Sequence, residues 1–139
     1  AKVEVKEAVD GDRIITGRVL IAPGGKQMEV VRSGGRYLVR CREGEKVNGH
    51  IPSVEVLFDS VAKYVGENAV GVLLTGMGRD GADAMVRMRR AGARTLAQDE
   101  RSSVVWGMPK EAYEAGGAER LVGIGEMSQT VVQLLKEMQ

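Results

Sequence analysis

The feature that most limits the fold of this sequence is an uninterrupted apolar run, AVGVLLT, at residues 69–75. Such a run, without polar alternation, is typical of a strand that is buried on both faces of a parallel sheet. Because helices must cover both faces of that sheet, the run predicts an α/β chain. We expect a three-layer α/β/α fold with a mainly parallel, Rossmann-like sheet.

Helical patterns flank the apolar run on both sides. After Ser53, the predicted N-cap, apolar residues recur at helical spacing until Gly66 ends the pattern. After the run, a glycine-rich turn leads into a second helix that extends to Gly92 and is followed by a short strand at 95–98. These elements predict one βαβ unit.

The first part of the chain has the pattern of short strands. Runs at 27–32 and 36–41 surround an SGG turn, which predicts an antiparallel β-ribbon. Val3 and Val5, which alternate with charged residues, and a run at 18–22 predict further strands.

Weaker patterns continue the same fold in the last third. They predict an extended piece at 104–106, a helix from Pro109 to the glycine pair at 116–117, and an edge strand at 120–124. The last predicted element is a helix opened by Ser128, with an apolar stripe of Val131, Val132, Leu135 and Met138. We expect residues 1–139 to be a piece of one domain.

Composition excludes several classes of function. Lys+Arg 20 against Asp+Glu 19 gives a net charge of +1, so no strong field attracts nucleic acid or an anionic membrane. No run reaches the ~18 apolar residues of a membrane span and no signal-peptide pattern is present, so we expect a cytoplasmic protein without membrane insertion. With Cys41 and His50 as the single cysteine and histidine, we expect no metal site.

The residues that could carry chemistry concentrate in the turn after the apolar run, LLTGMGRDGADAM. It links the carboxyl end of a buried strand to a helix, where open α/β sheets bind ligands. Gly76, Gly78 and Gly81 spell G-x-G-x-x-G, and Asp99 follows at a suitable distance, so a dinucleotide-binding module is one hypothesis. Asp80 weakens that hypothesis, because its carboxylate would face the pyrophosphate.

Asp80 itself has two interpretations. It could be the N-cap of the following helix, or it could be the carboxylate of a hydrolytic triad. The chain does not supply an obvious partner for the second role, because no serine lies in a G-x-S-x-G elbow and His50 is a lone loop histidine.

Several blocks of the sequence together resemble the chemotaxis protein-glutamate methylesterases, the CheB family. They are IAPGGKQMEV, VNGHIPSVEVLFDSVAKY, GVLLTGMGRDGADAM and LAQDERSSVVWGMPKEA, followed by the closing helix. The resemblance runs nearly end to end and covers about the C-terminal two-thirds of that family's catalytic domain.

The resemblance implies a serine hydrolase that removes methyl esters from glutamyl side chains of methyl-accepting chemoreceptors, and in many members also deamidates receptor glutamines. The aspartate of the family motif T-G-M-G-x-D-G falls on Asp80, which would be the triad carboxylate. Met77 would line the active site, and Gly76 and Gly78 would keep the loop thin enough for a receptor helix to approach. No cofactor is implied.

The family's serine turn, its triad histidine and its receiver domain are expected upstream of this sequence. His50 and Gln27 match other family positions and are not expected in the triad. The chain alone is therefore expected to be inactive, and a catalytically silent interaction domain remains a third hypothesis beside the esterase and the dinucleotide module.

Overall fold

The computed structural model describes residues 3–139. Within them, the strands are β1 (Glu4–Glu7), β2 (Arg18–Ile21), β3 (Gln27–Ser33), β4 (Arg36–Arg42), β5 (Val70–Leu73), β6 (Arg94–Gln98) and β7 (Arg120–Val122). The helices are α1 (Val54–Tyr64), α2 (Ala82–Arg90), α3 (Met108–Glu114) and α4 (Ile124–Glu137), with a 3₁₀ turn at Gly66–Asn68. None of these helices is long and apolar enough to cross a membrane.

The centre of the fold is a parallel sheet in the order β5-β6-β7. Leu73 and Ala97 face one side, where Met85 of α2 and Ala112 of α3 cover them. Residues on the opposite face of the sheet pack against α4, in a cluster of Val70, Val72, Leu96, Val122, Met127, Val131 and Leu134. The predicted three-layer α/β/α arrangement is confirmed, although β5 is shorter than the apolar run that predicts it.

Helix α1 begins where its sequence pattern predicts. The hydroxyl of Ser53 accepts a hydrogen bond from the backbone N–H of Glu55, which is the expected N-cap interaction. Val54 and Phe58 pack against the core beside α2. Arg87 of α2 forms ion pairs with Glu55 and Asp59 of α1 and so links the two helices at the surface.

The predicted ribbon is confirmed as the antiparallel pair β3–β4, in which Val30 lies opposite Val39. Its inner face packs against α1 around the buried residues Met28, Val39 and Cys41. Strands β1 and β2 form a separate parallel pair, with Val5 opposite Val19.

The last third contains the main errors of the sequence-based prediction. Residues 104–106 form no strand; they make one isolated β-bridge, between Trp106 and Gly76, and Trp106 Nε1 donates to the backbone oxygen of Gln98 in β6. Helix α4 begins directly after β7, with Gly123 as its N-cap, so Ser128 lies exposed within the helix and caps nothing. The predicted apolar stripe is also partly wrong: Val131 packs against the sheet, but Val132 and Leu135 are exposed and Leu134 is buried instead.

Candidate active site

Asp80 lies in the loop between β5 and α2, at the carboxyl end of the parallel sheet, and is only 4% exposed. Four donors surround its carboxylate. They are Nδ2 of Asn48 at 3.0 Å, Oγ of Ser53 at 2.7 Å, and the backbone N–H groups of Val54 at 2.8 Å and Glu55 at 3.3 Å. A buried carboxylate needs such donors, because an unpaired charge in the interior is strongly destabilising.

Asp80 caps a helix, but not the helix that follows it in sequence. Val54 and Glu55 are the first two residues of α1, so the carboxylate accepts N–H groups that a helix start leaves without partners. The N-cap of α2 is Gly81, with a left-handed φ of 89°. A Cβ at Gly81 would lie 2.6 Å from Cγ1 of Val54, so this close approach to α1 requires glycine. The prediction that Asp80 caps its own helix is therefore wrong.

The same donors keep Asp80 ionised. Burial by itself raises the pKa of this carboxyl, but the hydrogen bonds from Asn48, Ser53 and the first turn of α1 outweigh burial and hold the pKa of Asp80 below its usual value. The positive end of the α1 dipole acts in the same direction. The site therefore presents a fixed negative charge at the edge of the sheet.

The two carboxylate oxygens of Asp80 are not equally occupied. Oδ1 accepts from Asn48, Ser53 and Glu55, whereas Oδ2 accepts from Val54 alone among the described residues. An ionised carboxylate oxygen has two lone-pair positions. Oδ2 thus retains capacity for one further donor, which is what orienting a histidine would require.

Asn48 reaches Asp80 from a tight turn between β4 and α1. The backbone N–H groups of Val47 and His50 donate to each other's carbonyl oxygens, at 2.9 Å and 3.0 Å. The two central residues, Asn48 and Gly49, have φ of 53° and 80°, a left-handed conformation that Asn and Gly tolerate best.

Gln27, which is 1% exposed, anchors the segment that follows this turn. Its side-chain carbonyl accepts from the backbone N–H of Ser53 at 2.8 Å, and its amide donates to the backbone oxygens of Glu45 and His50. Gln27 thus supports one of the groups that bind Asp80 without touching Asp80 itself.

A second segment covers the glycine-rich loop after β5. The N–H of Gly76 donates to the oxygen of Val105, and the oxygen of Gly76 accepts from the N–H groups of Gly107 and Met108. A Cβ on Gly107 would lie 2.8 Å from the oxygen of Gly76. The N–H of Gly76, the first glycine of the motif, is therefore bonded within the protein, whereas a dinucleotide-binding loop keeps its N–H groups for the pyrophosphate.

Met77 is at the outer side of this loop and is 80% exposed. It is followed by Gly78, whose φ of 90° lets the chain turn back toward the buried carboxylate. The loop thus combines an exposed thioether with the buried anion of Asp80 a few residues later.

The other residues highlighted by the sequence lie outside this cluster. Oδ1 of Asp99 accepts from the N–H and hydroxyl of Ser102 and so closes a local turn. The side chain of His50 is not among the donors to Asp80. Cys41 is buried in the cluster beneath the ribbon, where burial raises the pKa of its thiol. In residues 3–139 no group of three or more His, Cys, Asp or Glu could hold a metal ion.

Two partners of Asp80 are missed by sequence reasoning. The Asn-Gly pair at 48–49 indicates a tight turn, and the N-cap role of Ser53 is predicted correctly. Nothing in the local pattern indicates that both side chains also bind a carboxylate so far along the chain, because the folding of the loop onto α1 brings them together.

Comparison with known proteins agrees with the motif resemblance. The family model described as CheB methylesterase matches residues 1–131. A relative from Syntrophotalea carbinolica, named protein-glutamate methylesterase/protein-glutamine glutaminase, is 64% identical over 97% of this chain and 38% of its own length. A relative of the same name from Sulfurimonas denitrificans is 57% identical over 98% of this chain and 39% of its own length.

The crystal structure of the Thermotoga maritima CheB methylesterase catalytic domain superposes with a TM-score of 0.89 at 30% sequence identity, over 93% of this chain and 68% of that chain. The present chain spans about 38% of the length of the Syntrophotalea carbinolica relative. The family match over nearly the whole chain, the identity to these relatives and the shared fold lead to one conclusion: this chain belongs to the CheB methylesterase family.

Proposed function

We propose that this chain is the C-terminal part of the catalytic domain of a protein-glutamate methylesterase and that Asp80 is the carboxylate of a Ser–His–Asp triad. The serine and the histidine come from a part of the protein outside these 139 residues. The observation that carries the proposal is the environment of Asp80, a buried anion at the carboxyl end of the sheet whose Oδ2 can accept one further donor.

In this mechanism the serine hydroxyl attacks the ester carbonyl carbon, and the histidine takes the serine proton and returns it to the departing methoxide, which leaves as methanol. The histidine then activates a water that cleaves the acyl-enzyme and leaves a glutamate. Asp80 binds the N–H of the histidine on the side away from the serine and stabilises the imidazolium form in both steps. No cofactor takes part.

The substrates are methyl-esterified glutamyl side chains of methyl-accepting chemoreceptors. The names of the relatives include glutaminase activity, which supports receptor glutamine deamidation at the same site. Gly76 and Gly78 keep the loop thin, and the exposed Met77 contacts the receptor segment that carries the reacting side chain. The enzyme is cytoplasmic. A receiver domain in the same polypeptide regulates its esterase activity.

The test uses a chimera in which this chain replaces the matching segment of the Syntrophotalea carbinolica relative, to which it is 64% identical. Asp80→Asn presents an amide that favours the wrong imidazole tautomer, a change that costs ~10⁴ in kcat in a serine protease. We expect a loss of at least about a hundredfold in kcat for methanol release from methylated receptors.

The matched control is Asp83→Asn, which makes the same chemical change at an exposed position of α2. It should leave kcat within about twofold of the parent chimera. An Asp80→Asn chimera that is folded and retains its kcat would remove Asp80 from the triad. If the unsubstituted chimera is folded but inactive, the catalytically silent alternative is favoured, and saturable NAD binding would favour the dinucleotide module.

A further inference from the structure

We propose that Asn48 is a positioning residue for the esterase reaction: its amide holds Oδ1 of Asp80 so that Oδ2 faces the histidine. This inference rests on the proposed function of Asp80. It adds a group 32 residues upstream, on a different loop, whose contribution neither the family motif around Asp80 nor the names of the relatives indicate.

The first argument is the division of donors between the two oxygens. Oδ1 is bound by Nδ2 of Asn48 at 3.0 Å and by Oγ of Ser53 at 2.7 Å, with the more distant N–H of Glu55 at 3.3 Å. These donors fill its lone-pair positions. A donor from the histidine therefore has an open position at Oδ2 only, and rotation of the carboxylate would break the contacts at Oδ1.

The second argument is the identity of the residue at position 48. Its φ of 53° favours Asn or Gly, and glycine would satisfy the turn at least as well. The property that Asn adds is its side-chain amide, and that amide donates to Asp80. The turn therefore accepts either Asn or Gly, and only Asn also supplies the hydrogen bond to Asp80.

The third argument is that Asn48 differs from Ser53 in what else it does. Ser53 is 2% exposed, caps α1 and binds Asp80, so its removal would disturb the fold and the site together. Asn48 is exposed and forms no helix cap, so it can be changed with less structural cost. Its exposure also means that water competes with its hydrogen bond, which limits the expected effect.

The charged groups around this contact are accounted for by other partners. Arg79, on the same loop as Asp80, pairs with Asp83, and Glu55 of α1 pairs with Arg87. His50 is the ionisable side chain of the turn at 47–50 that also contains Asn48. Both Asn48 variants retain His50, so a shift in the pH profile of their kcat is due to the substitution at Asn48.

The experiment compares two substitutions in the chimera. Asn48→Gly preserves the left-handed turn and removes the donor, and we expect roughly a three- to tenfold loss in kcat with KM unchanged. Asn48→Asp preserves the shape and places a second carboxylate against Oδ1. We expect a loss of at least about thirtyfold at neutral pH and an acid limb of the kcat profile that moves up by about one pH unit.

Asn68→Asp is the matched control, because it makes the same change at an exposed residue before β5, at the other end of the strand. It should leave both kcat and the acid limb unchanged. The inference is overturned if both Asn48 variants keep the parent kcat and pH profile, or if Asn68→Asp produces the same shift as Asn48→Asp.

A second readout, the NMR titration of the Asp80 carboxyl carbon in the same chimera, does not depend on activity. Asn48→Asp should raise the pKa of Asp80 and Asn48→Gly should raise it less. If the unsubstituted chimera is inactive while both shifts occur, the proposed function fails and the positioning of Asp80 by Asn48 stands. If neither shift occurs, the positioning role fails whatever the activity.

Discussion

At the scale of single residues, the two interpretations of Asp80 that sequence analysis treats as alternatives are compatible with each other. The capping hypothesis identifies the correct chemistry, because the carboxylate does accept helix N–H groups, but the helix is α1 and not α2. Capping α1 uses Oδ1 and one position of Oδ2, so it does not prevent Oδ2 from binding a further donor. The capping contacts instead fix the carboxylate in one orientation.

This environment predicts a pH dependence of stability. The pKa of Asp80 is lowered in the folded chain, so its contribution to stability is present above the unfolded pKa of ~3.9 and is lost as the pH falls through the folded value. In urea unfolding at pH 7, we expect Asp80→Asn to cost about 1–3 kcal/mol, because charge-assisted hydrogen bonds are lost. The difference between this variant and the parent should become smaller below about pH 4.

The comparison with Asp80→Asn is needed because the pKa values of Asp12, Asp99 and Glu119 are also lowered, so the parent chain loses stability in acid for several reasons. The control is again Asp83→Asn, an exposed carboxylate in an ion pair with Arg79. A difference between Asp80→Asn and the parent that stays constant from pH 7 to acid would contradict an ionised, hydrogen-bonded Asp80.

At the scale of secondary-structure elements, the accuracy of the sequence-based prediction depends on how each element begins. Helix α1 is predicted closely, because Ser53 is an unambiguous N-cap before a regular apolar stripe. Helix α4 is misplaced, because its N-cap is Gly123, which offers no side-chain signal, whereas Ser128 offers a false one. A helix with apolar residues at both 131–132 and 134–135 does not by itself indicate which of them is buried.

The structure resolves that ambiguity in favour of the face that contains Met127 and Leu134. Leu134 is 1% exposed, whereas its neighbour Leu135 is 46% exposed. We expect Leu134→Ala to destabilise the chain by about 2–5 kcal/mol, because the shorter side chain leaves a cavity beneath α4. Leu135→Ala should cost less than about 1 kcal/mol. Denaturant unfolding measures the free energy of unfolding of both variants. If Leu135→Ala were the more destabilising substitution, the stripe that the sequence predicts would be supported.

At the scale of the whole molecule, the sequence predicts the layers of the fold better than the site. The buried run that becomes β5 and the alternation of helices and strands are enough to predict a parallel sheet covered on both faces, because burial and connection length follow local rules. The motif places Asp80 at the edge of the sheet. The contacts of Asp80 with Asn48 and Ser53 depend on the packing of α1 against the loop, which no local pattern encodes.

Whether the isolated chain can hydrolyse esters is also a question about the whole molecule. Ester hydrolysis of the proposed kind needs a nucleophilic serine, a histidine base and oxyanion donors that act together, and none of the serines in this sequence lies in a G-x-S-x-G elbow. Among the described residues no histidine donates to Asp80, whose four donors come from Asn48, Ser53, Val54 and Glu55. An oriented carboxylate without a base and a nucleophile does not accelerate the reaction.

We therefore expect the isolated 139-residue chain to release no methanol from methylated receptors above background, whereas the chimera with the Syntrophotalea carbinolica relative is active. Both proteins are assayed at equal concentration after circular dichroism has verified that each is folded, so that inactivity is not the result of unfolding. A serine-directed inhibitor should abolish the activity of the chimera and change nothing for the isolated chain. Inhibitor-sensitive methanol release by the isolated chain would mean that one of its own serines, with His50 or another base, forms the catalytic centre.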